Sequence, residues 1–518
     1  MMHSSRPKCV IIGGGATGCG VGRDLALRGF DVTLIEYDDL GSGTSSRFHG
    51  MLQSGARYAV SDTDYAAECY RERLNIARLL PSIVEQTGGV FVSLPDDPAD
   101  YADKFVAGCQ GANIDVGEMD PDQFMAEEPA VTRDVLRVFS VPDATIQPWR
   151  LVNHMADDIR HYKGTVLTRH RVTSIDVQGG MVKGVHVTGP DGERFLPADV
   201  VVNSAGPWCR RVAAMVGEDT DLELGKGSIL VFAHRLTTRA VNRCRPPYSH
   251  DIIVPTGTIS LFGTTSETVE NPDTTHVRPE EIQELLDGAE PLIPNARSYR
   301  GLRAWAGVRP LYKPKNRDPS KPLSRRHSVI EHAENGVVGF YTICGGSLST
   351  HRSMAEDIGN RISHSLGLDQ PCLTATTPFV GVPTADWQPA QNYYRAEAAK
   401  RQSDQICECE SVDRQDVVNL IADRGIRSLN DIRRRLRVGF GPCQGTFCAS
   451  RVAAEIAKLH PDYDLEADLG AFWMERLKGS RYTAWGPQAK QMLLSDVVYR
   501  ETLGLRVTPD ILLKDSPR

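Results

Sequence analysis

The sequence predicts a protein of mixed α/β and α+β class. We expect a doubly wound α/β domain interleaved with an antiparallel-sheet domain, followed by a small helical domain. Three observations support this expectation. A short apolar strand at the N-terminus leads through a Gly-rich turn into a helix. A similar strand, followed by two glycines and a helix, returns late in the chain. Four of the twelve cysteines lie close together, between residues 407 and 448.

Composition and charge limit the classes of function. The chain has 518 residues, 41% of them hydrophobic and 24% charged, as in ordinary globular proteins of two to four domains. Its net charge of −7 argues against nucleic-acid binding, which favours a basic surface. Residues 1–8 resemble no signal peptide, and no apolar run approaches the length of a membrane span. We therefore expect a cytoplasmic protein whose membrane association, if any, is peripheral or through a partner.

The N-terminal elements follow from hydrophobic patterning. Lys8–Ile12 is an apolar strand, Ala16–Leu27 carries small and apolar residues suited to a helix, and Asp31–Ile35 alternates as a second strand. Residues 44–57 are rich in Ser, Gly and His and predict a functional loop. Residues 62–80 then predict a helix.

The rest of the chain predicts that a second domain is inserted into the first domain, and that the first domain is completed late in the sequence. Residues 150–162 predict a helix, residues 165–175 a strand, and residues 199–203 a buried strand. β-Rich runs between 220 and 310 predict the antiparallel sheet, and residues 339–344 return as a strand before a helix over 350–366. The expected domains are residues 1–374 with an inserted substrate domain over about 220–335, a linker over 375–405, a cysteine domain over 406–456, and a C-terminal extension over 457–518.

The first turn has the spacing of a dinucleotide site. Gly13-x-Gly15-x-x-Gly18 follows a strand and opens a helix, so Gly13 permits the tight turn, Gly15 admits a pyrophosphate, and Gly18 lets the helix pack on the strand. Glu36 ends the second strand, where a carboxylate can hold ribose hydroxyls. The alternative is a Gly-rich turn with no ligand.

Three features favour FAD over NAD as the dinucleotide. The motif lies at the extreme N-terminus, the loop of residues 41–47 follows Glu36 closely, and Gly345-Gly346 precede a late helix. That late turn is able to direct N–H groups at the pyrimidine end of a flavin, where reduction builds negative charge.

The cysteine cluster predicts an iron–sulfur centre. Cys407-x-Cys409 and Cys443-x4-Cys448 are separated by 33 residues, and these spacings differ both from those of common zinc sites and from those of common ferredoxins. Without an export signal, such a cluster favours metal binding over disulfides. Zinc, and free or disulfide-bonded cysteines, remain alternatives. Arg433, Arg434, Arg435 and Arg437 lie between the pairs; a solvated helix face is the favoured interpretation, with compensation of cluster charge or docking of an electron partner as the alternative.

Several segments together resemble one known family. They are IIGGGATGCGVGRDLALRGFDVTLIE, HGMLQSGARYAV, KGSILVF, ISLFGTTS, WAGVRPL, ICECESVDRQDVV and RVGFGPCQGTFCASR. Over nearly the whole chain they resemble the FAD-binding large subunit of anaerobic glycerol-3-phosphate dehydrogenase. The C-terminal domain is similar to bacterioferritin-associated ferredoxin. The resemblance implies a D-amino-acid-oxidase-like fold, FAD, a [2Fe–2S] cluster, oxidation of sn-glycerol 3-phosphate to dihydroxyacetone phosphate, and partner subunits of FMN and iron–sulfur type that pass electrons to membrane quinone at the inner face of the membrane.

The resemblance also implies roles for particular residues. The FAD fingerprint would be Gly13, Gly15, Gly18 and Glu36; the residues beside the flavin would be Thr44, Ser45, Ser46, Gly345, Gly346, Ser347 and Leu348; the cluster ligands would be Cys407, Cys409, Cys443 and Cys448. Arg57, Tyr58 and Arg309 would line the substrate pocket. Guanidinium groups from two loops suit an anionic group, although either arginine alone also fits a structural salt bridge.

The chain departs from the family at three positions near the expected site. The family's late motif is Gly-Gly-Lys-Leu-x-Thr-Tyr-Arg, whereas here Ser347 replaces the Lys and His351 replaces the Tyr. Gln53 replaces the family's His. If the lost charge serves the flavin, a protonated His351 is one way to compensate for it, and Lys226 or Lys313 on another loop is another.

We expect a dehydrogenase in which a base takes the hydroxyl proton while the carbinol hydride passes to flavin, with His49 and His351 as candidate bases. One alternative is a related enzyme for another small anionic hydroxy compound, such as a 2-hydroxy acid or a polyol phosphate. A second alternative is a non-catalytic electron carrier or iron-handling protein. The pocket arginines and the large middle domain argue against that carrier.

Overall fold

A computed structural model describes residues 6–313, 325–385, 387, 404–424, 426 and 428–506. Within these ranges no helix has both the length and the apolar character needed to cross a membrane. The helices are Ala16–Leu27, Thr63–Leu79, Tyr101–Gly111, Pro121–Glu127, Pro148–His161, Cys209–Ala213, Pro279–Ala289, His351–Ser365, Arg414–Arg424, Leu429–Leu436, Ala449–Leu459, Leu465–Leu477 and Pro487–Asp496.

The first domain is a six-stranded sheet with helices packed on it. Its strands are ordered His327–Glu331, Phe340–Gly345, Val200–Asn203, Lys8–Ile12, Asp31–Ile35 and Thr165–Leu167. All neighbours pair in parallel except the first two strands. The central strand is buried from Cys9 to Ile12, as expected of a parallel strand covered on both faces. The two N-terminal strands and the helix between them have the bounds expected from the sequence.

The helix Ala16–Leu27 packs against the two helices Pro148–His161 and His351–Ser365. Arg23 on this helix is buried and ion-paired with Asp158 at 2.7 Å. Its Nη1 and Nη2 atoms donate to the backbone carbonyls of Thr374 and Thr377. The segment after the last helix of this domain is therefore held against its first helix.

The second domain is built on a nine-stranded sheet. Its strands are Gly89–Ser93, Gly117–Met119, Arg137–Val141, Leu222–Phe232, Ala240–Arg243, Ile252–Thr256, Ile259–Gly263, Glu267–Val269 and Gly301–Tyr312. Three of these strands precede residue 220, so the substrate domain begins earlier than the boundary expected from the sequence. Gly89–Ser93 pairs in parallel with Ala240–Arg243, and a pairing between such distant segments leaves no local signal in the sequence.

Two smaller sheets complete this half of the molecule. Arg171–Gln178, Met181–Gly189 and Gly192–Pro197 form one, and Met51–Leu52, Ala144–Ile146 and Val84–Glu85 form the other. The single strand expected over 165–175 is wrong. Its first part joins the six-stranded sheet and its second part starts a new sheet, because the chain turns at Arg169, whose φ is +57°.

The C-terminal part forms one helical unit with a small two-stranded sheet, Gln405–Cys407 and Val412–Asp413. Phe472, Trp473 and Tyr499 pack in the same hydrophobic core as Ile406 and Val452. The segment after residue 456 is thus part of the cysteine domain rather than a separate extension. Most of the expected linker, residues 388–403, lies outside the described residues.

Candidate functional site

The Gly-rich turn has the geometry of a phosphate cradle. Gly13 has φ +112°, and a Cβ there would lie 2.7 Å from the carbonyl oxygen of Ser204. A Cβ on Gly18 would lie 1.9 Å from the Gly13 carbonyl, so only glycine lets this helix approach its strand. A Cβ on Gly15 would meet only the Ser45 hydroxyl, at 3.1 Å. The helix N-terminus is therefore open toward this hydroxyl, as pyrophosphate binding requires.

Glu36 closes the turn from the second strand. Its carboxylate accepts from the backbone N–H of Gly14 at 2.7 Å and of Asp38 at 2.8 Å. Burial raises the pKa of Glu36 to about 7, against the lowering effect of these two bonds. The carboxylate thus lies at the turn, where the ribose of a dinucleotide is expected.

Thr44, Ser45 and Ser46 form a short 3-10 turn beside the same helix N-terminus. The Ser45 hydroxyl accepts from the Ala16 N–H at 2.9 Å. Thr44 donates to the Val308 carbonyl at 2.6 Å, which ties the turn to the long strand of the second sheet. Ser46 is held within the loop by its bond to the Gly41 carbonyl.

The late glycine pair makes a sharp turn before the helix His351–Ser365. Gly345 and Gly346 have φ of +78° and +73°, and a Cβ on either would collide with Arg326 O or Met354 Sδ. The Ser347 N–H then donates to the Thr350 hydroxyl at 3.1 Å. The turn at residues 13–18 and the turn at residues 345–346 both depend on glycine, and both hold backbone N–H groups next to hydroxyl groups. Two such turns fit a dinucleotide with a flavin end.

The expected pocket residues lie together. Burial and the nearby Arg57 and Arg309 lower the pKa of His49 to about 3. Burial, together with Arg325 and Arg57, lowers the pKa of Arg309 to about 10, although Tyr58 opposes this. His49, Arg57 and Tyr58 of one sequence motif thus share one electrostatic neighbourhood with Arg309 of another. Arg325 is a further guanidinium that sequence reasoning missed, because no motif surrounds it.

The two pocket arginines, Arg57 and Arg309, make few polar contacts. Arg57 donates to the Tyr248 carbonyl at 2.7 Å and lies 3.5 Å from Asp251. Arg309 donates to the Thr264 hydroxyl. Among the residues that the structure describes, no carboxylate lies within ion-pair distance of Arg309. Guanidinium groups so placed can bind an anion.

Gln53 and Ser347, two of the residues that depart from the family motif, lie near the same cysteine. Gln53 Nε2 lies 3.9 Å from Cys69 Sγ, and the same thiol lies within hydrogen-bonding reach of Ser347 and Ser349. Burial raises the pKa of Cys69 to about 12, so the thiol is neutral. A cluster of uncharged groups therefore lies at the positions for which the sequence resemblance implies Lys and His.

Two other expectations need correction. His351 is 5% exposed, donates from Nδ1 to the Leu348 carbonyl at 2.9 Å, and packs its ring against Gly20. Burial lowers its pKa to about 4. Lys226 is buried and paired with Glu281 at 2.7 Å, so it does not supply the missing charge. These placements favour structural roles for both side chains.

The four clustered cysteines come together in the C-terminal unit. The Cys443 sulfur is within hydrogen-bonding reach of Cys409 and Cys448, and that of Cys407 is within reach of Cys448. Backbone N–H groups approach these sulfurs. The Cys407 sulfur has the N–H groups of Gly439 and Glu410 beside it, and the Cys409 sulfur has that of Cys443. The Cys443 sulfur has the N–H groups of Gly445 and Phe447 beside it. A loop that donates N–H groups to three of the four cysteine sulfurs fits an iron–sulfur cluster.

Across the described ranges, no three His, Cys, Asp or Glu side chains are placed to hold one ion. A [2Fe–2S] cluster divides four thiolates between two irons.

The basic run between the cysteine pairs is not a solvated face. Arg434 and Arg435 both lie 3.0 Å from Asp39 of the first domain. Arg437 is buried and pairs with Glu410 at 2.7 Å. Arg433 is 5% exposed. The favoured interpretation from the sequence is wrong, because Arg434 and Arg435 dock the cysteine domain onto the first domain while Arg437 pairs within the cysteine domain.

Comparison with known proteins matches both halves of the chain. Residues 8–356 match the FAD dependent oxidoreductase family, and residues 405–458 match the BFD-like [2Fe-2S] binding domain. An anaerobic glycerol-3-phosphate dehydrogenase subunit of Escherichia coli K12 is 37% identical over 96% of each chain. The corresponding protein of Haloferax volcanii is 34% identical over 96% of this chain and 90% of its own. The FAD-complexed glycerol-3-phosphate dehydrogenase structure from Bacillus halodurans covers 99% of this chain and 93% of its own, with a TM-score of 0.58 and 19% identity, which supports the fold.

Proposed function

Because the chain belongs to the anaerobic glycerol-3-phosphate dehydrogenase family of FAD-dependent oxidoreductase subunits, we propose that it oxidises sn-glycerol 3-phosphate to dihydroxyacetone phosphate. Electrons then leave through a [2Fe–2S] cluster held by Cys407, Cys409, Cys443 and Cys448. The observation that carries the proposal is the convergence of Arg57, Arg309 and His49 on one site. An electron carrier needs no such anion site.

Each half of the chain holds one redox group in this proposal. Gly13, Gly15, Gly18 and Glu36 hold the adenosine and pyrophosphate end of FAD, and residues 44–46 and 345–348 hold the flavin end. When bound, FAD supplies a two-electron acceptor and the [2Fe–2S] cluster a one-electron carrier.

Arg57 and Arg309 grip the anionic group of the substrate, and Arg325 adds positive charge beside them. Their guanidinium groups come from a short 3-10 helix, a strand and the segment before another strand, so they can surround an oxyanion from several sides. Tyr58 packs against Tyr65 with the two rings tilted and their centroids 5.1 Å apart.

His49 is proposed as a hydrogen-bond donor rather than a base. The Met51 N–H donates to its Nδ1 at 3.3 Å, so the neutral ring carries its proton on Nε2. Burial, together with the two arginines, keeps the ring neutral. Binding of an anion between the arginines would weaken their part of this effect and raise the pKa of His49, while burial would still hold it below its ordinary value.

The test is anaerobic reduction of the bound flavin by a panel of small hydroxy compounds. We expect sn-glycerol 3-phosphate to bleach the flavin of the wild-type protein, and 2-hydroxy acids to do so poorly. A wild-type protein that ignores glycerol 3-phosphate, and gains the activity in Ser347→Lys, would show that the family's substrate does not apply to this chain.

One observation favours a second candidate substrate. Ser347, Gln53 and Cys69 form a neutral cluster where the family has two groups able to carry charge. A substrate with less negative charge than a phosphate, such as a 2-hydroxy acid, would suit that change. The same panel separates the two candidates.

We also propose that the chain works with FMN- and iron–sulfur-containing subunits that pass electrons to membrane quinone. The relatives are named as single subunits of the anaerobic enzyme, which supports an assembly of several chains. We expect gentle fractionation of cells to leave part of the protein with the cytoplasmic face of the membrane and to release it with salt. Recovery of the chain alone, with no other chain copurifying, would contradict this.

A further inference from the structure

Arg300 connects the substrate domain to the cysteine loop. It lies immediately before the strand Gly301–Tyr312, and its side chain crosses to the other domain. Its Nη2 donates to the Pro442 carbonyl at 2.7 Å, and its Nε donates to Gln488 Oε1 at 2.9 Å. The half-buried guanidinium is thus fixed on two of its edges.

The Pro442 carbonyl belongs to the peptide unit whose N–H is that of Cys443. This N–H lies within hydrogen-bonding reach of the sulfur of Cys409. The guanidinium of Arg300 therefore acts on one end of a peptide whose other end donates to a cluster ligand. A cation bound to the carbonyl polarises the amide and strengthens its N–H as a donor.

The surroundings leave this peptide little freedom to move. Gln488 is 3% exposed, and its Nε2 donates to the Leu302 carbonyl at 3.0 Å, which fixes the amide that holds Arg300. On the other side, a Cβ added to Gly441 would lie 2.2 Å from Cys409 Cβ. Arg300 is therefore placed to hold the 442–443 peptide against Cys409.

We propose that Arg300 is a positioning residue of the [2Fe–2S] cluster, which directs the Cys443 N–H at Cys409 and raises the reduction potential of the cluster. The proposal rests on the ligation of the cluster by these cysteines. Reduction adds one electron and makes the ligand sulfurs more negative, so a donated N–H and a nearby cation stabilise the reduced form more than the oxidised form.

The test is a redox titration of the full-length holoprotein, with dithionite and mediators, followed by the EPR signal of the reduced cluster. For Arg300→Gln we expect the equilibrium constant for reduction to fall at least tenfold, a shift of about 59 mV to lower potential for one electron. Arg300→Lys keeps the charge but cannot keep both bonds, so we expect a smaller shift in the same direction.

The matched control is Arg451→Gln. Arg451 is exposed and pairs at 2.9 Å with Glu408, which lies between the first two cysteines. Solvent screens this pair, so its loss should change the equilibrium less than about threefold. An unchanged potential in Arg300→Gln, or equal shifts in the two variants, would overturn the proposal. A role limited to holding the domains together would lower the melting temperature and leave the potential unchanged.

A second measurement covers the case in which Arg300→Gln does not assemble the cluster. In Arg300→Lys we expect the hyperfine coupling between the reduced cluster and ¹⁵N-labelled Cys443 to weaken, and an unchanged coupling would overturn the proposal. Both measurements are made without substrate, so they do not depend on which substrate the enzyme oxidises. Absence of any [2Fe–2S] signal in the wild-type protein would overturn this inference and the proposed cluster together.

Discussion

Two sets of arginines in this molecule have opposite environments. In the pocket, Arg309 donates to a hydroxyl and lies near other arginines rather than a carboxylate. In the cysteine domain, Arg434 and Arg435 share Asp39, and Arg437 pairs with Glu410. Burial alone would raise the pKa of Asp39, but Arg435 and Arg434 hold it down, at about 2.

This difference in partners distinguishes arginines that bind a ligand from arginines that hold two domains together. Arg309 is half-buried and has no carboxylate partner among the described residues, so its guanidinium suits an anionic ligand. A cation whose partners are complete instead fixes one domain against another. The partners of an arginine, rather than its neighbours in sequence, indicate its role here.

Cys443→Ser should have the largest effect, and should divide the molecule into its two regions. We expect complete loss of the cluster, measured as iron, sulfide and EPR signal, because one thiolate ligand is gone. FAD should stay bound and substrate should still reduce it. Cys109→Ser changes a buried cysteine outside the cluster and should leave the iron content unchanged. Loss of FAD in Cys443→Ser would show that the two regions do not fold independently.

Arg309→Gln should raise KM for the substrate by about 10- to 100-fold, because a charge-assisted contact contributes roughly 1.5–3 kcal/mol. Steady-state rates with an artificial electron acceptor would measure this. Arg434→Gln is the matched control from the other set and should leave KM within about twofold. Equal effects of the two variants on KM would erase the distinction between binding and docking arginines.

Asp39→Asn should weaken the docking of the two regions, since it leaves two arginines without their shared carboxylate. Breaking a buried ion pair costs on the order of 3–5 kcal/mol. We expect faster proteolysis between the domains and a lower melting temperature, with KM for the substrate unchanged. An unchanged melting temperature would mean that solvent already screens these pairs.

Acid should loosen the first domain before it loosens the docking contact. The pKa of His351 is lowered to about 4, so its contribution to stability is complete above its ordinary pKa of about 6.5 and is lost as pH falls toward 4. This loss amounts to about 3 kcal/mol at about 1.36 kcal/mol per pKa unit. Asp39, with its pKa lowered to about 2, loses its contribution only below about pH 4.

The His351→Gln variant isolates that effect. As the pH is lowered from 7 to 4, the melting temperature should fall less steeply in His351→Gln than in the wild-type protein. Parallel curves would show that His351 does not stay neutral in the folded protein.

The sequence predicted the elements that local pattern determines. The strand–turn–helix at residues 8–27 and the cysteine cluster carry short-range signals, and the fold class expected from them is confirmed. The strand Gly89–Ser93 joined a sheet whose other members lie far along the chain, and Arg325 and Arg300 have no surrounding motif. Such long-range contacts depend on tertiary packing, which a single sequence does not display.

The arginine run at residues 433–437 is a second case in which a long-range contact could not be predicted from the sequence. Four arginines within five positions suggested exposure, because charged residues rarely become buried without partners. Their partner Asp39 is almost 400 residues away in sequence, as the hydrogen bond from Arg434 shows. The run therefore looked solvated from its composition alone.

An anaerobic titration of the holoprotein with sn-glycerol 3-phosphate, followed by flavin absorbance and cluster EPR, tests the central claim most directly. We expect the flavin to bleach and the signal of the reduced [2Fe–2S] cluster to appear, in the wild type but not with Arg309→Gln at the same substrate concentration. A flavin that stays oxidised with glycerol 3-phosphate but bleaches with a 2-hydroxy acid would contradict it.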